Sequence, residues 1–143
     1  MAGIIGNATP SKSGLLPSNR TSVSATRKNN DVGIKVTIGY PDAGQGMILV
    51  LNWIGLQSSY SALVNILSWN KIGANKAVMF GNSNAFTIKQ VVTERIIELY
   101  INTSSYGILT ASPLSPNGSH TIKAEATTSV PSNAESVDVI TLS

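Results

Sequence analysis

His120, the only histidine of this 143-residue chain, and seven carboxylates (Asp31, Asp42, Glu94, Glu98, Glu125, Glu135 and Asp138) are the groups that could move protons or hold a metal. Acid–base and nucleophilic catalysis need such groups gathered in a fixed geometry. His120 sits in Gly118-Ser119-His120-Thr121, beside a turn signal. Its neighbour Ser119 would leave the opposite face of a strand, so the two do not make the nucleophile–base contact of a triad. The expectation is a surface histidine at a strand start. Glu94 and Glu98, four residues apart, share a face of a helix or a strand. On a strand they stand too far apart for a close carboxylate pair, and solvated surface is their expected role. The absence of cysteine excludes disulfides, thiolate metal sites and cysteine nucleophiles. No zinc spacing or Asp-rich calcium loop occurs, and Gly44-Gln45-Gly46 lacks the lysine and helix of a phosphate loop. The chain reads as non-enzymatic, with no catalytic residue, metal or cofactor expected.

Aromatic rings beside amides and hydroxyls are better candidates, for binding. A sugar site stacks a ring on the apolar face of the sugar and hydrogen-bonds its hydroxyls through Asn, Asp or backbone groups. The pairings on offer are Trp69 with Asn70, Tyr40 with Asp42, Tyr60 with Ser58, and Tyr106 with Ser104 and Ser105. Trp69 closes an apolar run beside a turn, evenly balanced between core rim and exposed platform. Trp53 lies within an apolar run and is expected in the core. For each tyrosine alone, a structural role outweighs a binding one.

Charged residues make up only 12% of the chain, while Ser, Thr and Asn together supply roughly a third of it. Hydroxyls and amides, more than ions, keep such a surface wet. The net charge of +3 is unevenly spread: residues 1–76 carry +5 and residues 77–143 carry −2. Aromatics are 6% of the chain, and the densest basic group is only Arg20, Arg27 and Lys28, so nucleic acid is not the expected partner. Asn52, Gly55, Asn65 and Ser68 break the longest apolar runs, and no membrane span is expected. The short apolar patch at the start is too short for a signal-peptide core. Expected locations are therefore the cytoplasm or the outside of the cell, including its surface, reached without such a signal; the compartment itself stays undetermined.

The elements that must position these residues are strands. Residues 1–31, with Pro10, Pro17 and a Ser/Thr/Asn background, read as a flexible arm or a weak first strand at Ser22–Thr26. Asn29-Asn30-Asp31 marks a turn, and a sandwich domain follows over residues 32–143. Val32, Ile34, Val36 and Ile38 alternate with Lys35 and Thr37, the pattern of a half-buried strand. Met47–Ile54 is apolar almost throughout, which predicts a strand covered on both faces. Strands are also expected at Tyr60–Trp69, Lys76–Phe80, Ile108–Ala111, His120–Ala126 and Val137–Leu142. Thr87–Ile101 is ambiguous: Thr87 and Gln90 have capping-box spacing, but Ile, Val and Thr density favours strands. We expect a short irregular or helical turn near Ile88–Val92, then a strand at Arg95–Asn102. Seven or eight short strands with turn chemistry between them predict an all-β fold, a single antiparallel sandwich of immunoglobulin-like or jelly-roll-like type.

The stretch Val36-Thr37-Ile38-Gly39-Tyr40-Pro41 through Gly46-Met47-Ile48-Leu49-Val50-Leu51-Asn52-Trp53-Ile54-Gly55 resembles a bacterial immunoglobulin-like repeat of large surface adhesins. That repeat runs as a V-x-I-x-Y strand, a loop ending in Gly, and an apolar strand closing on W-x-G. Phe86-Thr87-Ile88, Val91-Val92 and Ile97–Ile101 fall at comparable positions. Met47 stands where the repeat usually carries an acidic residue, and the amino-terminal arm has no counterpart. The resemblance implies an immunoglobulin-like sandwich serving adhesion or spacing, and no catalytic residue.

Two functions are expected from this reading. The first is a lectin-like or adhesin-like module that engages a glycan or cell-surface ligand through loop aromatics and amides. The alternative is a structural subunit of a homo-oligomer, fibre, capsid or secreted appendage. Apolar residues on both faces of Met47–Ile54 and Tyr60–Trp69 favour it, since a lone sandwich would leave one of those faces exposed.

Overall fold

The computed structural model describes residues 22–40, 46–56, 59–68, 72–80, 86–103, 106–117 and 120–142. Trp69, Asn70 and Asp42, and the arm up to residue 21, lie outside them. The described residues form eleven strands: β1 (Val23–Arg27), β2 (Gly33–Gly39), β3 (Gly46–Gly55), β4 (Ser59–Ser68), β5 (Ile72–Phe80), β6 (Phe86–Thr93), β7 (Ile96–Thr103), β8 (Gly107–Asn117), β9 (Thr121–Thr127), β10 (Glu135–Ser136) and β11 (Val139–Leu142). A six-stranded sheet runs β1-β8-β3-β4-β5-β11 and a five-stranded sheet runs β10-β6-β7-β2-β9. Every pairing is antiparallel except β5 with β11, which is parallel.

Side-chain alternation along each strand builds the core between the sheets. β2 sends Ile34, Val36 and Ile38 inward, β3 sends Met47, Leu49, Leu51 and Trp53, and β7 sends Ile97, Leu99 and Ile101; all are buried. The chain also closes one flank of the sandwich. β10 pairs with β6, Val137 donates its N–H to the Ile88 carbonyl, and the Ala77 N–H then donates to the Asp138 carbonyl as β11 joins β5. Val137, buried between those steps, plugs the gap.

Four expectations change. Thr87–Ile101 contains no helical turn: β6 and β7 form a hairpin in register from Phe86–Thr103 to Thr93–Ile96. Ile88 and Gln90 face inward there, and Arg95 takes the left-handed backbone (φ 65°) that the tight connection demands. β3 is covered on one face only, with Ile48 and Ile54 exposed on the other. β5 starts at Ile72 instead of Lys76, because a bulge between Asn65–Lys76 and Ile66–Ala74 absorbs the polar Asn75. β8 runs on to Asn117 through Pro113 and Pro116. Since β1 begins opposite Ala111, those prolines lie where, among the described residues, β8 pairs with β3 alone, a setting that tolerates proline. β1 is the edge of the larger sheet, followed by a turn in which Asp31 Oδ2 accepts the Lys28 N–H at 2.7 Å.

Candidate functional site

The two outer faces of the sandwich differ in kind. On the five-stranded sheet, Lys35 stands on β2 between Glu125 of β9 and Glu98 of β7. Its Nζ lies 3.1 Å from Glu125 Oε1 and 3.7 Å from Glu98 Oε2, and the Tyr100 hydroxyl donates to Glu98 Oε2 at 3.0 Å. Hydrogen bonding to Glu125 raises the Lys35 ammonium pKa, and the same contact lowers that of the Glu125 carboxyl. This is a solvated ionic face.

The outer face of the six-stranded sheet is apolar. Strand register sets its side chains in rows that cross β8, β3, β4, β5 and β11 in that order. The first row is Leu114, Ile48, Asn65 and Lys76. Next come Ser112, Val50, Leu63, Val78 and Ile140. The third is Thr110, Asn52, Ser61, Phe80 and Leu142, and the last is Ile108, Ile54 and Ser59. Ile54 is 66% exposed, and Ile48, Phe80, Ile108, Leu114, Ile140 and Leu142 are also exposed. Among the described residues of these rows, Lys76 is the single charge, and its Nζ lies 3.4 Å from Asp138 Oδ2. The polar remainder is hydroxyl and amide, with Ser61 Oγ donating to Asn52 Oδ1 at 2.7 Å. At one end, Ile54, Leu56, Tyr106 and Ile108 wall a cleft of about 290 Å³ over Gly55 and Gly107. The exposed apolar side chains fall in two groups divided by Thr110, Asn52 and Ser61, and seven of them on one face are more than isolated surface apolar residues.

Of the sequence candidates, Tyr40, Glu94 and His120 line one depression, whereas Tyr106 lines a separate cleft. Tyr40 is only 2% exposed at the end of β2 and offers no open ring for stacking. Its hydroxyl is buried with no hydrogen-bond partner among the described residues, and burial pushes the phenol pKa well above its ordinary value. Tyr60, in register with Trp53, is half-buried against the core. Tyr106 is 38% exposed and belongs to the cleft just described, at the Trp53 end of the sandwich, away from Tyr40. His120 is not the surface histidine expected from sequence. It is 3% exposed, and its ring packs at a tilt 6.2 Å from that of Tyr40. The residue before β9 faces inward there, over a depression of about 400 Å³ lined also by Tyr40, Glu94, Arg95, Ile96 and Thr121. Glu98 joins the Lys35 network while Glu94 projects from the β6–β7 turn, so the two carboxylates do not act together. Among the described residues, no three or more His, Asp or Glu side chains are placed to hold a metal, and no helix is long and apolar enough to cross a membrane.

Sequence reasoning found the apolar character of the face in β3 and β4 but missed the contribution of β8, β5 and β11. Ile108 and Leu114 are separated by hydroxyls, and Phe80, Ile140 and Leu142 join the face only through strand order. The chain matches no protein-family model, no curated protein and no solved structure.

Proposed function

We propose that the chain is a non-enzymatic recognition module of immunoglobulin-like type that works by packing the outer face of its six-stranded sheet against an uncharged, apolar protein surface. The observation that carries this reading is the contrast between the faces. One outer face keeps a lysine–carboxylate network in water, and the other exposes Ile48, Ile54, Ile108, Leu114, Phe80, Ile140 and Leu142 around a single paired lysine. The same sequence thus solvates one sheet and leaves the other to be covered.

The strand order supports the immunoglobulin-like assignment. A variable-type domain orders its sheets A-B-E-D and G-F-C-C′-C″. Here β9-β2-β7-β6 and β1-β8-β3-β4-β5 take those places, so β2–β8 follow strands B to F. The terminal strands are exchanged: β1 fills the G position and β9 the A position. Trp53, buried on β3, occupies the C-strand place in which such domains bury a tryptophan. For a glycan site, by contrast, the described tyrosines supply no shared platform, because Tyr40 is buried and stands apart from Tyr106.

The test is the fluorescence of the apolar dye bis-ANS with dilute, folded protein. Wild type is expected to enhance the dye, and Ile54→Lys combined with Leu142→Lys to lose most of that enhancement. Equal enhancement by both would sink the assignment of this face.

A further inference from the structure

We infer that the partner of the apolar face is a second copy of the same chain, packed through a two-fold axis that runs across the strands between the Val50 and Asn52 rows. The inference rests on the docking role just proposed and adds the identity and orientation of the occupant.

The rows carry nearly the same pattern read in either direction along the strands. A two-fold axis perpendicular to the strands and lying in the contact plane keeps each strand opposite its own equivalent and reverses its direction. It sets the first row against the last and the second against the third. On β3 that places Ile48 against Ile54, and on β8 it places Leu114 against Ile108 with Ser112 against Thr110. On β5, Val78 meets Phe80, and on β11, Ile140 meets Leu142. On β4, the polar Asn65 meets Ser59. Val50 with Asn52 and Leu63 with Ser61 join unlike groups beside the axis, and Lys76, at the edge of the first row, meets no described residue of the last row.

The alternative axis, parallel to the strands, sets β3 against β4 and β8 against β5. It would press Leu114 against the Lys76 ammonium, Ile48 against Asn65 and Ile54 against Ser59. The first arrangement also sets an amide, Asn52, against Val50, but Asn52 Oδ1 already accepts a hydrogen bond from Ser61 Oγ. The second adds an ammonium and Asn65 against hydrocarbon, so the first is favoured. The face is self-complementary in one orientation.

Charge and area agree. An isologous contact brings each group near its own copy, so a charged face would repel itself, as the Lys35 face would in part. Here Lys76 is already neutralised by Asp138. The rows span five strands about 4.8 Å apart over about seven residues at about 3.3 Å, a footprint of about 550 Å² per copy. Two such footprints approach the lower edge of the range of about 1,200–2,000 Å² found for stable pairs. Face-to-face packing at about 10 Å is also how the two sheets within one copy meet.

The closing experiment uses sedimentation equilibrium and disulfide trapping, which the cysteine-free chain makes clean. Wild type is expected to sediment as a dimer. Ile54→Lys, exposed and so compatible with folding, is expected to weaken the dimer at least about 30-fold, because a two-fold contact carries the change twice. Lys89→Ala, on the opposite sheet, is expected to leave it unchanged. Under mild oxidation, a mixture of Ile48→Cys and Ile54→Cys proteins is expected to cross-link, with little cross-linking in either alone. A dimer whose cross-links are as strong within each variant as in the mixture overturns the two-fold arrangement. A wild-type monomer that still binds bis-ANS through the face overturns the second copy as partner and leaves the docking role standing. A monomer that binds no dye removes both.

Discussion

The side-chain amide of Gln90 forms a ring of two hydrogen bonds with the backbone of Ala74. The Ala74 N–H donates to Gln90 Oε1 at 2.7 Å, and Gln90 Nε2 donates to the Ala74 carbonyl at 3.2 Å. Gln90 belongs to the five-stranded sheet and Ala74 to the six-stranded one, so an amide side chain here imitates a strand and ties the sheets at the β5 bulge. Gln90→Ala leaves both backbone groups of the buried Ala74 without partners. A loss of about 2 kcal/mol in unfolding free energy by urea titration is expected, from orphaned groups at roughly 1–3 kcal/mol. Gln90→Glu keeps the acceptor and loses the donor, and its stability is expected to lie between the two. If Gln90→Ala matched wild type, the tie would contribute nothing.

Gly107 stands against the indole of Trp53, so close that a Cβ there would overlap the ring and come within 2.6 Å of the Ile54 carbonyl oxygen. The ring cannot retreat, because Trp53 is buried in the core and backbone blocks the other side. Gly107→Ala is expected to destabilise the fold by about 1–3 kcal/mol, the usual range for overpacking. A smaller residue at position 53 should relieve part of it, so Trp53→Phe with Gly107→Ala is expected to lose less than the sum of the two. Additive losses in a double-mutant cycle would contradict this coupling.

How far the sequence carried the fold depended on which neighbours set each element. β2 and β3 were legible because each strand carries its own alternation: Ile34, Val36 and Ile38 against Lys35 and Thr37, then the apolar run closing on Trp53. The β6–β7 hairpin is hidden from a local reading because Thr87 and Gln90 imitate a helix cap. In the fold the Gln90 side chain is committed across the sheets to Ala74, a partner sixteen residues away. His120 was read as surface because it follows a Gly-Ser turn, and no local signal announces the Tyr40 ring it packs against. The apolar face was half legible, in β3 and β4. Its palindromic order needs the pairing of β8, β5 and β11, which no single stretch of sequence contains.

Tyr40 gives a pH dependence on the alkaline side. Burial raises its phenol pKa in the folded state above the unfolded value of 10.0. Its contribution to stability is therefore complete below the unfolded value and is lost as pH rises through that value toward the folded one. Denaturant midpoints of wild type are expected to fall above about pH 10 more steeply than those of Tyr40→Phe. At neutral pH the substitution removes a hydroxyl that is buried with no hydrogen-bond partner among the described residues. Tyr40→Phe is thus expected to be neutral or up to about 1 kcal/mol more stable. A clear loss at neutral pH would show that the hydroxyl has a partner in solution.

The Lys35 network makes the opposite kind of contribution, broad in pH and small. Glu125, with its pKa lowered by Lys35, stabilises above its unfolded value, and that effect fades as pH falls through the folded one. Lys35, with its pKa raised by Glu125, stabilises below its unfolded value, and that effect fades only as pH climbs through the folded one. Between the model-peptide values of 4.5 and 10.5 both are in place, which leaves a flat plateau. Both partners are solvent-exposed enough for screening to matter. Lys35→Ala is expected to lower the urea midpoint slightly in low salt and not at all in high salt. The bis-ANS signal of the apolar face should not change, because that face lies on the other sheet. A salt-independent loss would mean that Lys35 acts through its buried aliphatic stem, and the five-stranded face would then be a packing surface as well as an ionic one.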